Sequence, residues 1–319
     1  MPAQNLVKLG DTGLMVSRLV FGALPMGPLQ ADLPPEEGGA LIRYALEKGV
    51  NLIDTAEMYG TYQHLREGLK GFTKPVHIAS KTHAATGVDA RQHVERALRE
   101  IDVDFLDIVH IHGARIADPF SERAEVLDEL LKMKAEGLLR HVGLSSHYIA
   151  AFESAIEHPE IEVLHPLINR SGMGILDGSK EAMAVVIARN AAAGKGIYAM
   201  KALAGGNFIS EARSSFRYVL NLPGVHGLAV GMLSKAEIDG NFALFCENHE
   251  DEILWTKLEQ KRREIKIMEQ FCKGCGDCIP ACTNQCITLQ DGIAKVKRED
   301  CILCGYCAAA CPDFMIRVV

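Results

Sequence analysis

Nine of the ten cysteines lie between Cys272 and Cys311, and the first 245 residues contain none. Eight of the nine make two copies of one pattern, C-x2-C-x2-C-x3-C. The copies are Cys272, Cys275, Cys278 and Cys282, then Cys301, Cys304, Cys307 and Cys311, each cysteine recurring after 29 residues. Three thiolates spaced by two residues wrap one corner of an iron–sulfide cube, and the fourth ligand must approach from elsewhere. A zinc ribbon uses pairs of cysteines, not two triplets each with a fourth member. The doubled run therefore predicts two [4Fe–4S] clusters.

A second set of reactive side chains lies far upstream. Asp54 and Tyr59 stand in Asp54-Thr55-Ala56-Glu57-Met58-Tyr59-Gly60, Lys81 in Ser80-Lys81-Thr82-His83, and His112 in His110-Ile111-His112-Gly113. Carbonyl reduction requires a proton at oxygen as hydride reaches carbon. A free tyrosine, with a pKa of about 10, is a weak acid at neutral pH, and a neighbouring ammonium stabilises its phenolate. Asp54 can hold Lys81 by an ion pair, and His112 can bond the carbonyl oxygen and orient it. Singly, each has a plainer reading: Asp54 as a turn cap, Tyr59 as a rim aromatic, His112 as a core histidine. Lys81 is the hardest to explain without a site, and the joint pattern favours catalysis.

Those residues fall at the ends of strand-like runs. Candidate strands cover 18–21, 51–54, 76–81, 105–112, 141–145, 163–169, 196–200 and 227–230. Amphipathic stretches at 35–48, 90–101, 121–136, 179–193 and 234–245 lie between them. Eight strands alternating with helices predict a (β/α)8 barrel, whose strand C-termini carry catalytic groups. A doubly wound sheet is the alternative, weakened by the lack of a G-x-G-x-x-G turn after the first strand. The turn Gly10-Asp11-Thr12-Gly13 predicts a hairpin closing the barrel's bottom. The expected division is a barrel over 1–247, a helical linker over 248–267 pinned to the barrel by Trp255, Leu258 and Ile265, and a small α+β iron–sulfur domain over 268–319.

The cysteine-rich end resembles the bacterial two-cluster ferredoxin family over about 268–319. In that family the fourth cysteine of each run serves the other cluster. The resemblance thus implies one cluster on Cys272, Cys275, Cys278 and Cys311, and another on Cys301, Cys304, Cys307 and Cys282. Thr283 follows Cys282 where the pattern has proline, whereas Pro312 keeps it in the second run. The two extra cysteines, Cys246 and Cys286, read as small buried residues.

The upstream motifs D-T-A-x-x-Y-G, I-A-S-K-T and D-I-V-H-I-H resemble aldo-keto reductase signatures, as do Glu136–Arg140, Val142–Ser145 and Gly231–Asn241. The whole chain resembles the prokaryotic branch with a C-terminal ferredoxin domain. The resemblance implies a barrel that reduces carbonyls with NAD(P)H through Asp54, Tyr59, Lys81 and His112. It also maps a nicotinamide site, with departures. Ser145-Ser146-His147 replaces Ser-Asn, Asn169-Arg170 replaces Asn-Gln, and Met200 replaces a stacking aromatic. Lys201 and the backbone of Leu203–Gly205 would cradle a pyrophosphate. Gly231 and Ser234 stand in place of a basic grip, Glu237 replaces an arginine, and Asn241 fits the adenine contact. Glu237 near a ribose would favour NADH; equally, Ser234 and Glu237 form a capping box.

The net charge of −7 disfavours a nucleic-acid surface. No apolar run approaches the length of a spanning helix, and the N-terminus has no signal-peptide pattern. A cytoplasmic enzyme is expected, acting on a small carbonyl or alcohol, with a redox partner protein as a candidate associate. Hydride transfer moves two electrons and needs no cluster, whereas clusters move single electrons. Three readings follow: an NAD(P)H enzyme coupled to its clusters, a flavin- or ferredoxin-linked enzyme that bypasses nicotinamide, or clusters serving as a folding and docking module.

Overall fold

A computed structural model describes residues 6–313 and 315–318. The remaining residues of the first and last expected segments, 1–5, 314 and 319, lie outside the described residues. Strands β1 (Leu6–Lys8) and β2 (Met15–Ser17) pair antiparallel as the expected hairpin. Gly10 takes φ 55°, and a Cβ there would meet Gly196 N at 2.4 Å, so the turn presses on the barrel floor. Leu9, Leu14 and Val16 of this hairpin share an apolar cluster with Val20, Leu52, Ala79, Ile108 and Val163 from the strands above.

Those strands are β3 (Leu19–Gly22), β4 (Leu52–Asp54), β5 (His77–Thr82), β6 (Leu106–Gly113), β7 (Leu139–Ser146), β8 (Ile161–Pro166), β9 (Gly196–Ala199) and β10 (Gly227–Gly231). They close in the order β10-β3-β4-β5-β6-β7-β8-β9, all parallel, as a (β/α)8 TIM barrel. The register places Lys81 beside His110 and His112 beside Ser145, which fixes the neighbours on the C-terminal rim. The larger apolar core lies between the strands and the surrounding helices.

The segment after the barrel differs from the single helix expected. A π-turn at Ala243–Glu247 leads to a helix at Glu252–Leu258. Trp255, 2% exposed, packs edge-on against Phe216. Ile265, expected to pin the helix to the barrel, instead lies on β11 (Ile265–Ile267) and packs among the cysteines. β11 pairs antiparallel with the last described strand, and β12 (Ile287–Gln290) pairs with β13 (Ile293–Val296). The turn Asp291-Gly292 takes φ 50° and 75°, the two left-handed residues a tight hairpin requires. β14 (Ile316–Val318) completes the first sheet.

This small unit sits on the barrel's C-terminal mouth. Asn207 Nδ2 donates to Cys301 O at 2.8 Å, Gln30 Nε2 to Cys304 O at 3.3 Å, and Arg115 Nη1 to Pro280 O at 2.7 Å. A Cβ on Gly205 would lie 1.7 Å from Ile302 O, so two backbones touch there. Among the described residues, no helix is long and apolar enough to cross a membrane.

Candidate active site and cysteine cavities

Asp54 ends β4, Lys81 lies near the end of β5, and both are buried. Lys81 Nζ donates to Asp54 Oδ1 at 2.6 Å and to Thr55 O at 2.9 Å. Its ammonium lies over the Tyr59 ring, 4.9 Å from the centroid. Burial lowers the Lys81 pKa while Asp54 opposes the shift. On the other side, Tyr198 OH donates to Asp54 Oδ2 at 2.8 Å and lies 2.6 Å from His110 Nε2. With its proton given to Asp54, Tyr198 accepts from Nε2–H, and His110 Nδ1 is left bare among buried groups. His165 Nε2 lies 3.8 Å from Asp54 Oδ2.

Tyr59 sits above this network and is 5% exposed. Lys81 was expected to lower its pKa. The structure shows the reverse: burial, then Tyr306, Asp54 and Cys304, push it well above the usual tyrosine value. The reason is geometric, since Lys81 spends its hydrogen bonds on Asp54 and Thr55. Tyr306, from within the second cysteine run, packs against the apolar cluster that holds Tyr59 and is among the groups that raise the Tyr59 pKa. His112 meets Tyr59 edge-on at 6.2 Å. Burial holds the His112 pKa well below the usual value, and that of His147 at about 3, so both are neutral. His112 Nδ1, His147 Nδ1 and Ser145 Oγ are buried without a partner. Three orphaned polar atoms at the ends of β6 and β7 fit a polar ligand in the mouth.

A cavity of ≈210 Å³ is bounded by Asp54, Tyr59, His165, Met200, Lys201, Leu203 and Gly205 at one end and by Gly231, Glu237 and Asn241 at the other. Three mapped cofactor residues stand apart from it. Ser145 lies outside its lining. Asn169 is consumed by its own loop, donating to Met173 O at 2.8 Å and accepting from Ser171 and Met173 N. Ser234 caps the next helix, accepting from Glu237 N at 3.3 Å. Glu237 Oε2 in turn accepts from Leu233 N, one residue before the N-cap, at 2.6 Å. Only the Ser234 half of the expected capping box therefore forms, and Glu237 still faces the cavity.

Sequence reasoning missed several lining groups. Lys261 pairs with Glu237 at 2.6 Å, and Arg263 bonds Gln30 Oε1 at 2.6 Å, both reaching the cavity from the linker. With Lys201 they form a cationic wall. Lys201 and Ala204 adopt left-handed φ values of 64° and 46°, strain that holds this loop against the cysteine unit. Tyr198 shares the inward face of its strand with Met200, a period-2 relation that could have flagged it. Tyr306 carried no such signal.

The cysteines gather in two small cavities. One is lined by Cys272, Cys275, Cys278 and Cys311. The other is lined by Cys282, Cys301, Cys304 and Cys307, together with Cys286. Each thus combines a triplet from one run with the fourth cysteine of the other, a donor set suited to a four-iron cube. Cys246 is buried far away in the barrel core.

The aldo/keto reductase family model matches residues 18–214, more than half of the chain. The chain belongs to the aldo/keto reductase family. A 4Fe-4S dicluster domain model matches residues 271–315 of this aldo/keto reductase. A solved structure from Pseudomonas aeruginosa, described as a candidate aldo-keto reductase, superposes with TM-score 0.65 at 30% identity, covering 76% of this chain and 95% of that one. An aldo-keto reductase from Bacillus halodurans shares the fold with TM-score 0.64 at 20% identity, covering 81% of this chain and 95% of its own. Curated relatives include L-galactose dehydrogenase of Arabidopsis thaliana, 26% identical over 54% of this chain and 57% of that protein. Pyridoxine 4-dehydrogenase of Escherichia coli is 32% identical over 41% and 53%. The chain spans about half the length of the curated relatives it matches. In this family member, the 4Fe-4S domain lies at the mouth of the barrel.

Proposed function

We propose that this enzyme interconverts a small carbonyl and its alcohol with NAD(P)H, and that its iron–sulfur clusters exchange electrons with the same site. The observation that carries the proposal is the packing of Tyr306 against the apolar cluster that holds Tyr59. It joins the barrel's acid to a residue two positions from Cys304. When bound, nicotinamide supplies hydride and the clusters supply single electrons. In this reading residues 1–247 form the catalytic barrel, 248–267 a linker, and 268–319 the cluster-binding domain, with separate apolar cores in support.

The chain's own residues divide the work. Tyr59, kept protonated by burial, gives its proton to the carbonyl oxygen. Asp54 and Lys81 hold the charge beneath it, and Tyr198 with His110 fixes Asp54. Neutral His112, with His147 beside it, orients the substrate oxygen. Lys201 and Arg263 offer the charge a pyrophosphate needs, with Asn241 at the adenine end. Cys272, Cys275, Cys278 and Cys311 hold the outer cluster, and Cys301, Cys304, Cys307 and Cys282 the inner one. A cytoplasmic location and a small redox partner protein suit this thiol-rich chain.

A second reading, a flavin- or ferredoxin-linked enzyme that does not use nicotinamide directly, is favoured by one observation: Asn169 is locked in its own loop. Anaerobic purification separates the two. The first reading expects about eight irons per chain, quenching of NAD(P)H fluorescence, and a cluster EPR signal after NAD(P)H is added with substrate. Fewer than about six irons would overturn the cluster assignment. Binding of neither nicotinamide, with a yellow chromophore surviving cluster removal, would transfer support to the second.

A further inference from the structure

The inner cysteine cavity holds five thiols, and a four-iron cluster uses four. The fifth, Cys286, is buried with its Sγ 3.4 Å from Cys282 Sγ. The Cys301 thiol lines the same cavity, so Cys286 shares it with two assigned ligands. Its backbone N–H donates to Cys282 Sγ at 3.3 Å.

The repeat supplies an internal comparison. The matching residue of the second run is Met315, whose N–H donates to Cys311 Sγ at the same 3.3 Å. Met315 also lines its own cysteine cavity. The backbone therefore turns the fourth residue after the last cysteine toward the cluster in both repeats, but only the inner cavity receives a thiol there. The two turns differ as well. Pro312 locks φ after Cys311, whereas Thr283 leaves the turn after Cys282 free to adjust. Thr283 Oγ1 lies 3.9 Å from Cys304 Sγ, at the edge of contact for sulfur.

We propose that Cys286 is a reserve ligand of the inner cluster, taking over the iron held by Cys282 when that bond opens. The exchange balances without an oxidant: the iron–sulfur bond to Cys286 forms, the bond to Cys282 breaks, and the proton of the Cys286 thiol passes to Cys282. It keeps four irons in the cluster nearest the active site. The outer cluster, with a thioether at the matching place, has no such replacement.

The inference rests on the assigned clusters, and the wild-type iron count tests that premise separately. Full-length wild type, Cys282→Ala, Cys311→Ala and the Cys282→Ala/Cys286→Ala double variant are reconstituted anaerobically, and iron, sulfide and dithionite-reduced EPR spectra are measured. Wild type and C282A are expected to hold about eight irons, with an altered EPR signal in C282A, while C311A and the double variant hold about four. About four irons in C282A would overturn the inference while leaving the cluster reading intact. Fewer than about six in wild type would fail the cluster reading instead. Should C282A not fold, Cys286→Ala decides: an iron chelator is expected to strip half of its iron several-fold faster than from wild type, and equal rates would overturn the proposal.

Discussion

At the scale of single residues, the proposed chemistry depends on who holds the proton of Tyr59. Burial is the largest force keeping it there, with Tyr306, Asp54 and Cys304 adding to it. A proton donor loses activity as pH rises through its pKa, so a raised pKa moves that alkaline limb upward. Tyr306→Phe removes a hydroxyl that raises the Tyr59 pKa. The limb of the kcat profile should shift to lower pH, with the iron content unchanged. An unmoved limb would show that the contact does not reach the catalytic proton. Asp54 has a different task, since its removal leaves Lys81 charged and buried. Asp54→Asn should cost about 3–5 kcal/mol of stability, measured by anaerobic guanidinium denaturation, along with a 10²- to 10⁴-fold fall in kcat on the order expected for lost acid–base chemistry. A stable, active D54N would remove this pair from the mechanism.

At the scale of elements, the eight strands and their order follow from short apolar runs punctuated by helical stretches. Each run lies within one or two residues of an observed strand or overlaps most of it, because burial on both faces leaves a strong local pattern. The linker was harder. Its charge pattern suggested one helix, but only Glu252–Leu258 is helical, and Ile265 is taken by a strand whose partner lies some fifty residues on. Pairing between distant segments outweighs local propensity there. Trp255 anchors the helix beside Phe216 and lines the mouth cavity that the proposed function gives to NAD(P)H. Trp255→Ala should lose about 3–5 kcal/mol in anaerobic denaturation and weaken NAD(P)H binding in a fluorescence titration. If both stay at wild-type values, the linker helix is only a spacer.

At the scale of the whole molecule, the barrel and the cysteine unit touch backbone to backbone. Gly205, at φ 72°, has no room for a Cβ beside Ile302 O. Gly205→Ala should lower the cost of undocking by about 1–3 kcal/mol. Cleavage by trypsin near Lys261–Arg263 should then accelerate roughly tenfold, with iron content held. Loss of iron with no change in cleavage would mean that this contact supports the clusters and not the docking.

The spacing of the cysteines and the polar groups at the ends of β4, β5 and β6 were legible from the sequence alone. Those signals are local, carried by spacings of two to four residues and by the alternation of short apolar runs. The family resemblance mapped Asn169 to the nicotinamide, yet its side chain closes its own loop. Tertiary structure alone decided the rest: that Tyr306 meets Tyr59, that Lys261 and Arg263 wall the cavity at the mouth, and that Cys286 joins the inner cysteines. These groups are brought together by closure of the barrel and docking of a distant unit on its mouth. No period in the chain records contacts made by packing between segments that are far apart in sequence.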